Sequence, residues 1–138
     1  MVAAVTGVLL MSGAWAIGPY FFEDRDIPTA IDSTEVREAA GPACRRMQER
    51  VEAAGSDEEE NEAVEAMVAE IRQLGPETLA GDEPAELWLA DWEAFVAARR
   101  AGDPIPEGGG APIHLRMDEL VKDLRACQIP EQMLPGRD

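Results

Sequence analysis

One run of apolar residues narrows what this chain can fold into more than any other feature. Val36, Ala40, Cys44, Met47, Val51 and Ala54 recur at spacings of four, four, three, four and three. That period places them on one face of a helix and rules out a strand, whose faces alternate every second residue. A second stripe, Val64, Met67, Val68, Ile71 and Leu74, follows after Gly55. A third, Leu87, Trp88, Trp92, Phe95 and Val96, is expected to face inward from a helix that begins near Pro84 and stops at Gly102. A last helix is expected over about Arg116 to Cys127, burying Leu120, Val121 and Leu124, with Met133 and Leu134 folded back onto the bundle. The fold class is therefore all-α, a small bundle of three to four helices. Ile113 to Leu115 is at most a short extended piece.

Punctuation residues mark the helix ends. Asp32 with Glu35, and Ser56 with Glu59, have the spacing of a capping box. Gly41-Pro42 interrupts the first stripe, so that helix either kinks there or begins with Pro42 in its first turn. Gly75-Pro76 is a stop, and a loop through Gly81 leads to the third helix. Gly102 to Pro112, with three prolines and four glycines, reads as an irregular loop. Arg99 and Arg100 in the last turn of the third helix complement its negative dipole end. No internal repeat is read: the two Ala/Glu-rich helices share composition, not register.

The first 22 residues are of another kind. Met1 to Phe22 carry no charged side chain, and Glu23-Asp24-Arg25-Asp26 ends the stretch. A helix of that length spans about 33 Å, close to the roughly 30 Å hydrocarbon core of a bilayer. Trp15, Tyr20, Phe21 and Phe22 lie where an interfacial aromatic belt would sit. Residues 1–22 are accordingly read as a transmembrane anchor, 23–32 as a linker and 33–138 as an acidic helical domain outside the cytoplasm. The alternatives are a signal segment cut after Ala14-Trp15-Ala16, giving a secreted protein, or a buried helix. The expected location is the cell membrane, single-pass, with the C-terminal domain outside.

Two cysteines in such a compartment are most simply one disulfide, Cys44 to Cys127, tying the domain's start to its end. A redox-active pair is the alternative, without a C-x-x-C spacing to support it.

The C-terminal half carries a resemblance. Trp88-Leu89-Ala90-Asp91-Trp92-Glu93-Ala94-Phe95 through Ala98-Arg99-Arg100, Pro112-Ile113-His114-Leu115-Arg116-Met117 and Cys127-Gln128-Ile129-Pro130 resemble a group of uncharacterised actinobacterial single-pass membrane proteins. The resemblance covers about residues 30 to 134. It implies one N-terminal span and a helical extracytoplasmic domain with a Cys near either end. It implies no activity and no functional residues, and this chain lacks the basic cytoplasmic flank usual in the group.

Chemistry is sparse. The formal charge of −16 repels nucleic acid, whose binding rests on Lys and Arg neutralising phosphates. It likewise disfavours anionic lipid headgroups. His114 is the only histidine, and it reads as a surface or packing residue. The serines and threonines fit no nucleophile motif, and Gly108-Gly109-Gly110 is followed by no Lys-Ser/Thr. Asp57, Glu58, Glu59, Glu60 and Glu62 lack the alternation of a calcium loop and read as a solvated helix start. No catalytic residue, metal site or cofactor is assigned.

Trp88, Trp92 and Phe95 form the candidate apolar surface. They are core if buried and a docking or ligand surface if exposed. The expected role is a non-enzymatic, membrane-anchored accessory or interaction module of the bacterial cell envelope. Its expected partner is another envelope protein. The alternative is an extracytoplasmic protein binding a small apolar ligand between its helices.

Overall fold

The computed structural model describes residues 30–135. The expected N-terminal anchor or signal segment lies outside these residues. Among the described residues no helix is long and apolar enough to cross a membrane.

Five helices and a tail of 3-10 turns surround one core among the described residues. The first four are α1 (Thr34–Ala53), α2 (Asp57–Arg72), the single-turn α3 (Pro76–Ala80) and α4 (Glu83–Ala101). A two-residue antiparallel ladder, β1 (Glu107–Gly108) with β2 (Ala111–Pro112), leads into α5 (Ile113–Leu120). Two 3-10 turns, Arg125–Cys127 and Glu131–Met133, follow it. The mostly helical fold agrees with the stripe analysis, and the Cys44–Cys127 disulfide is present, joining residues 83 apart in sequence.

Local chemistry explains the helix starts. Ser33, not Asp32, caps α1: its hydroxyl accepts from the Val36 amide while Asp32 stays exposed. At α2 the Ser56 hydroxyl accepts from the Glu59 amide at 3.2 Å, and the Glu59 carboxylate reaches back to the Gly55 amide. α4 starts on Asp82, a buried carboxylate with two tasks. Oδ1 accepts from the Ala85 amide at 3.3 Å, and Oδ2 accepts from the Ser33 amide at 2.9 Å, tying the starts of α1 and α4 together.

Several boundaries differ from the sequence expectation. Of the two readings of Gly41-Pro42, the start at Pro42 is the one set aside: α1 runs through it, with Pro42 inside the helix. Proline removes one helical hydrogen bond and crowds the preceding turn, at a cost of roughly 3 kcal/mol. The buried face on both sides of it, Val36 and Ala40 before and Ala43, Cys44 and Met47 after, keeps the helix in one piece. Gly75-Pro76 both ends α2 and starts α3, because Gly75 takes φ +99° and Pro76 sits in the first turn, where its missing N–H costs nothing. Leu79 plants this extra turn in the core.

The expected last helix starts earlier, at Ile113, and stops at Leu120. Beyond it three groups turn the chain back toward α1. Gln48 Nε2 donates to the Ala126 and Gln128 carbonyls at 2.9 Å each, and Asp118 Oδ1 accepts from the Ile129 amide at 3.0 Å. The third is Cys127 itself. Ile31, inside the stretch read as a linker, is already buried, and its amide donates to the Leu120 carbonyl at 2.9 Å.

Trp88, Trp92 and Phe95 form the centre of the core. Their rings meet edge to face, 6.4 Å apart for the tryptophan pair and 5.8 Å for Trp92 with Phe95. Met67, Ile71, Leu89 and Met117 are buried with them. Leu87 is a correction: it is 39% exposed, one position off the inward stripe.

Gly109 and Gly110 both have positive φ, 68° and 87°, as the tight turn of a two-residue hairpin demands. Gly108 is constrained differently. The Arg116 guanidinium, paired through both nitrogens with the buried Asp91 carboxylate at 2.8 Å, lies where a Cβ on residue 108 would fall. That atom would sit 2.7 Å from Nη1. Gly108→Ala should therefore push Arg116 off Asp91 and strand a buried carboxylate, costing about 2 kcal/mol. Urea denaturation of the variant, read at unchanged m-value, measures it.

Candidate functional site

α2 and α4 pack with opposite directions, and between them runs a surface groove of about 380 Å³. α2 contributes Val64, Glu65, Val68, Ala69 and Arg72; α4 contributes Trp92, Glu93, Val96, Ala97 and Arg100. These are five matched pairs, each separated by 28 residues: Val64/Trp92, Glu65/Glu93, Val68/Val96, Ala69/Ala97 and Arg72/Arg100. Glu58/Glu86 and Ala66/Ala94 extend the match. The expectation that the chain contains no internal repeat is corrected here. Val64 to Arg72 and Trp92 to Arg100 share a register.

The ion pairs obey the same exchange. Arg72 on α2 binds Glu86 at 3.4 Å and Glu93 at 3.1 Å on α4. Arg100 on α4 binds Glu58 and Glu65 on α2. Swapping the helices leaves the pattern unchanged, so the groove has a local twofold character. Its floor is Val64, Val68, Trp92 and Val96, all buried, while Ala69 and Ala97 are exposed on the two lips. Each end is closed by one arginine shared between two glutamates.

Electrostatics follow that geometry. Hydrogen bonds from Arg100 hold the Glu58 and Glu65 carboxyls below their ordinary values, and the same bonds hold the guanidinium above its own. Arg72 is raised too: burial pulls it down, and Glu93 and Glu86 outweigh burial. These pairs are exposed to water, so their worth lies in geometry more than in stability.

A second, buried polar cluster sits beside the groove. Arg99 donates to Asn61 Oδ1 at 2.8 Å, to Glu60 Oε1 at 2.6 Å and to the Met133 carbonyl at 2.7 Å. Gln132 Nε2 donates to the other Glu60 oxygen at 2.9 Å and to the Val51 carbonyl at 3.1 Å. The acidic start of α2 is thus not uniformly solvated: Glu60 is buried, while Asp57, Glu58, Glu59 and Glu62 stay exposed. Arg99 and Arg100 act through these side-chain pairs, in addition to their place at the helix end. Asp118, half-buried near His114, is pushed up by burial, opposed by the Ile129 amide and by the charge of His114.

Of the candidate surface residues, all three are buried. Trp92 alone reaches the α2/α4 groove, and Phe95 reaches a smaller hollow beside Arg99 and Met133. The indole N–H groups of Trp88 and Trp92 have no acceptor among the described residues. Among those residues no three His, Cys, Asp or Glu side chains converge as metal ligands would. Ala69, Ala97 and the two arginine clamps were not singled out by sequence. The interval of 28 between the segments VEAMVAEIR and WEAFVAARR is the signal that finds them. No protein-family model, no curated protein and no solved structure matches the chain.

Proposed function

We propose that the protein is a non-enzymatic interaction module of the bacterial cell envelope, anchored by residues 1–22, that docks another envelope protein along α2 and α4. The observation that carries this reading is the groove: an open, apolar-floored channel framed by ion pairs, on a domain whose core is otherwise filled. The Cys44–Cys127 disulfide supports an oxidising compartment, since such bonds persist there and are rare in the cytosol. The uncharged Met1 to Phe22 stretch supports attachment to a membrane. The rival reading, a small apolar ligand held between helices, calls for an enclosed space beside Trp88, Trp92 and Met67. Those three side chains are packed against their neighbours with at most 2% of their surface exposed. The space that exists opens to solvent along two helices, a shape suited to a macromolecule.

The test is a photocrosslinking amino acid placed at Ala97 in the full chain, expressed in its native cells. Glu49, exposed on α1 and outside the groove, is the control position. The Ala97 probe should give one discrete adduct, identified by mass spectrometry, that the Glu49 probe does not give. Ala69→Gln on the opposite lip should weaken that adduct. An identical ladder from both positions, or none from Ala97, removes the reading.

A further inference from the structure

The groove's own symmetry and charge specify its occupant. Building on the interaction-module reading, we infer that the α2/α4 groove receives a basic amphipathic helix and accepts it in either direction along its axis.

The chemistry comes from the frame. Four carboxylates, Glu58, Glu65, Glu86 and Glu93, share two guanidiniums, Arg72 and Arg100. One negative charge is left over at each end, on a molecule that carries −16 in all. A Lys or Arg arriving at each end completes both clusters, whereas an acidic segment meets repulsion at both. Seven residues, two turns or about 10 Å, separate Glu65 from Arg72 and Glu93 from Arg100. A helix with apolar residues at i, i+3 or i+4 and i+7 covers that distance. The exposed Ala69 and Ala97 hold the lips low, so a second helix can approach closely. Another copy of this chain fits less well: two concave faces leave the space between them empty, and two −16 surfaces repel.

The direction argument is separate. A helix seated in the groove meets the same order of groups from either end, Glu then Val-Ala then Arg, on one lip or the other. Only the floor pair Val64 and Trp92 breaks the equivalence, and both are buried.

Three synthetic 18-residue peptides test this against the full-length protein by fluorescence anisotropy at low salt. One carries a leucine stripe flanked by lysines, the second is its reversed sequence, and the third has glutamate in place of lysine. The two basic peptides should bind within about threefold of each other and at least tenfold more tightly than the acidic one. The double substitution Ala69→Gln, Ala97→Gln keeps every charge and lowers helix propensity only slightly at each site. It should weaken both basic peptides at least tenfold, while the thermal melt falls by only a few degrees.

Binding indifferent to that double substitution would be attraction to an acidic surface only, and the inference falls. A preference above thirtyfold for one direction removes the two-way claim. Concentration-dependent dimers in sedimentation that the double substitution abolishes make the occupant a second copy, and also overturn it. Should no basic peptide bind while the Ala97 crosslink in cells persists, the docking role stands and the basic helix does not. Should the peptides bind as expected with no crosslink in cells, the groove chemistry stands and the envelope role falls.

Discussion

Replacing Cys44 and Cys127 together with alanine is expected to lower stability by about 4.5 kcal/mol. The figure follows from the loop closed by residues 83 apart, whose freedom in the unfolded chain the bond removes. It is an upper value, because a real unfolded chain is already compact. Set against the 5–15 kcal/mol that stabilises an ordinary domain, the loss leaves the fold marginal. The folded state loses little packing by comparison: Cys44 Sγ lies 3.6 Å from Met67 Sδ and Cys127 Sγ lies 3.7 Å from the Ala40 carbonyl oxygen. A disulfide sulfur has no proton to donate, so these are packing contacts. Calorimetry of the double variant should show a melting temperature lower by up to about 20–35 °C. A shift of only a few degrees would mean that Gln48, holding the Ala126 and Gln128 carbonyls, keeps the tail in place without the bond.

Arg99→Ala should come next, at about 3 kcal/mol. Among the described residues the guanidinium is the only cation paired with the buried Glu60 carboxylate, and it makes only a longer approach, 3.6 Å, to the exposed Asp57. Removing one partner of a buried pair leaves the other charge desolvated and unpaired, which costs roughly 3–5 kcal/mol when burial is complete. Arg99 retains 16% of its side-chain exposure and Glu60 10%, which argues for the low end. The variant also strands the Met133 carbonyl and one oxygen of Asn61. Glu60→Gln in the Arg99→Ala background removes the buried charge and should recover about 1–2 kcal/mol, because Gln132 still has an acceptor there. Chemical denaturation of the single and double variants closes the cycle. Equal stability of the two variants would show that Glu60 is rehydrated once Arg99 is gone.

Much of this architecture is legible in the sequence. Each of the first three stripes of apolar residues recurring every three or four positions lies on a helix, and the pairing of the two cysteines follows from their number. Caps are legible to within a residue: Ser56 does what its spacing with Glu59 predicts, whereas Ser33 takes the role expected of Asp32. The misses have a common physical source. The choice at Pro42, open between a helix that continues and one that starts there, is made by burial on both sides, a tertiary effect that local propensity does not contain. The last helix ends at Leu120 because Gln48, Asp118 and Cys44 hold the following chain elsewhere. Glu60 looks like its exposed neighbours until Arg99 is found opposite.

The candidate site is less legible still. Its repeat falls on helical positions spaced one and three apart, with Trp standing for Val, and Phe for Met in the core beneath. Only the packing of α2 against α4 brings the matched residues to one groove. Trp88, Trp92 and Phe95, the most conspicuous side chains in the sequence, turn out to build the interior beneath it.

The sulfur–sulfur bond also decides how the domain carries tension. A pull between Ala30 and Pro135 runs along the first part of α1, crosses from Cys44 to Cys127, and leaves through the tail. Everything that builds the groove, from Glu58 to Arg100, lies within the loop that this bond bypasses. A load applied across those two points would thus be borne by a covalent strut, with the α2/α4 groove slack and undeformed.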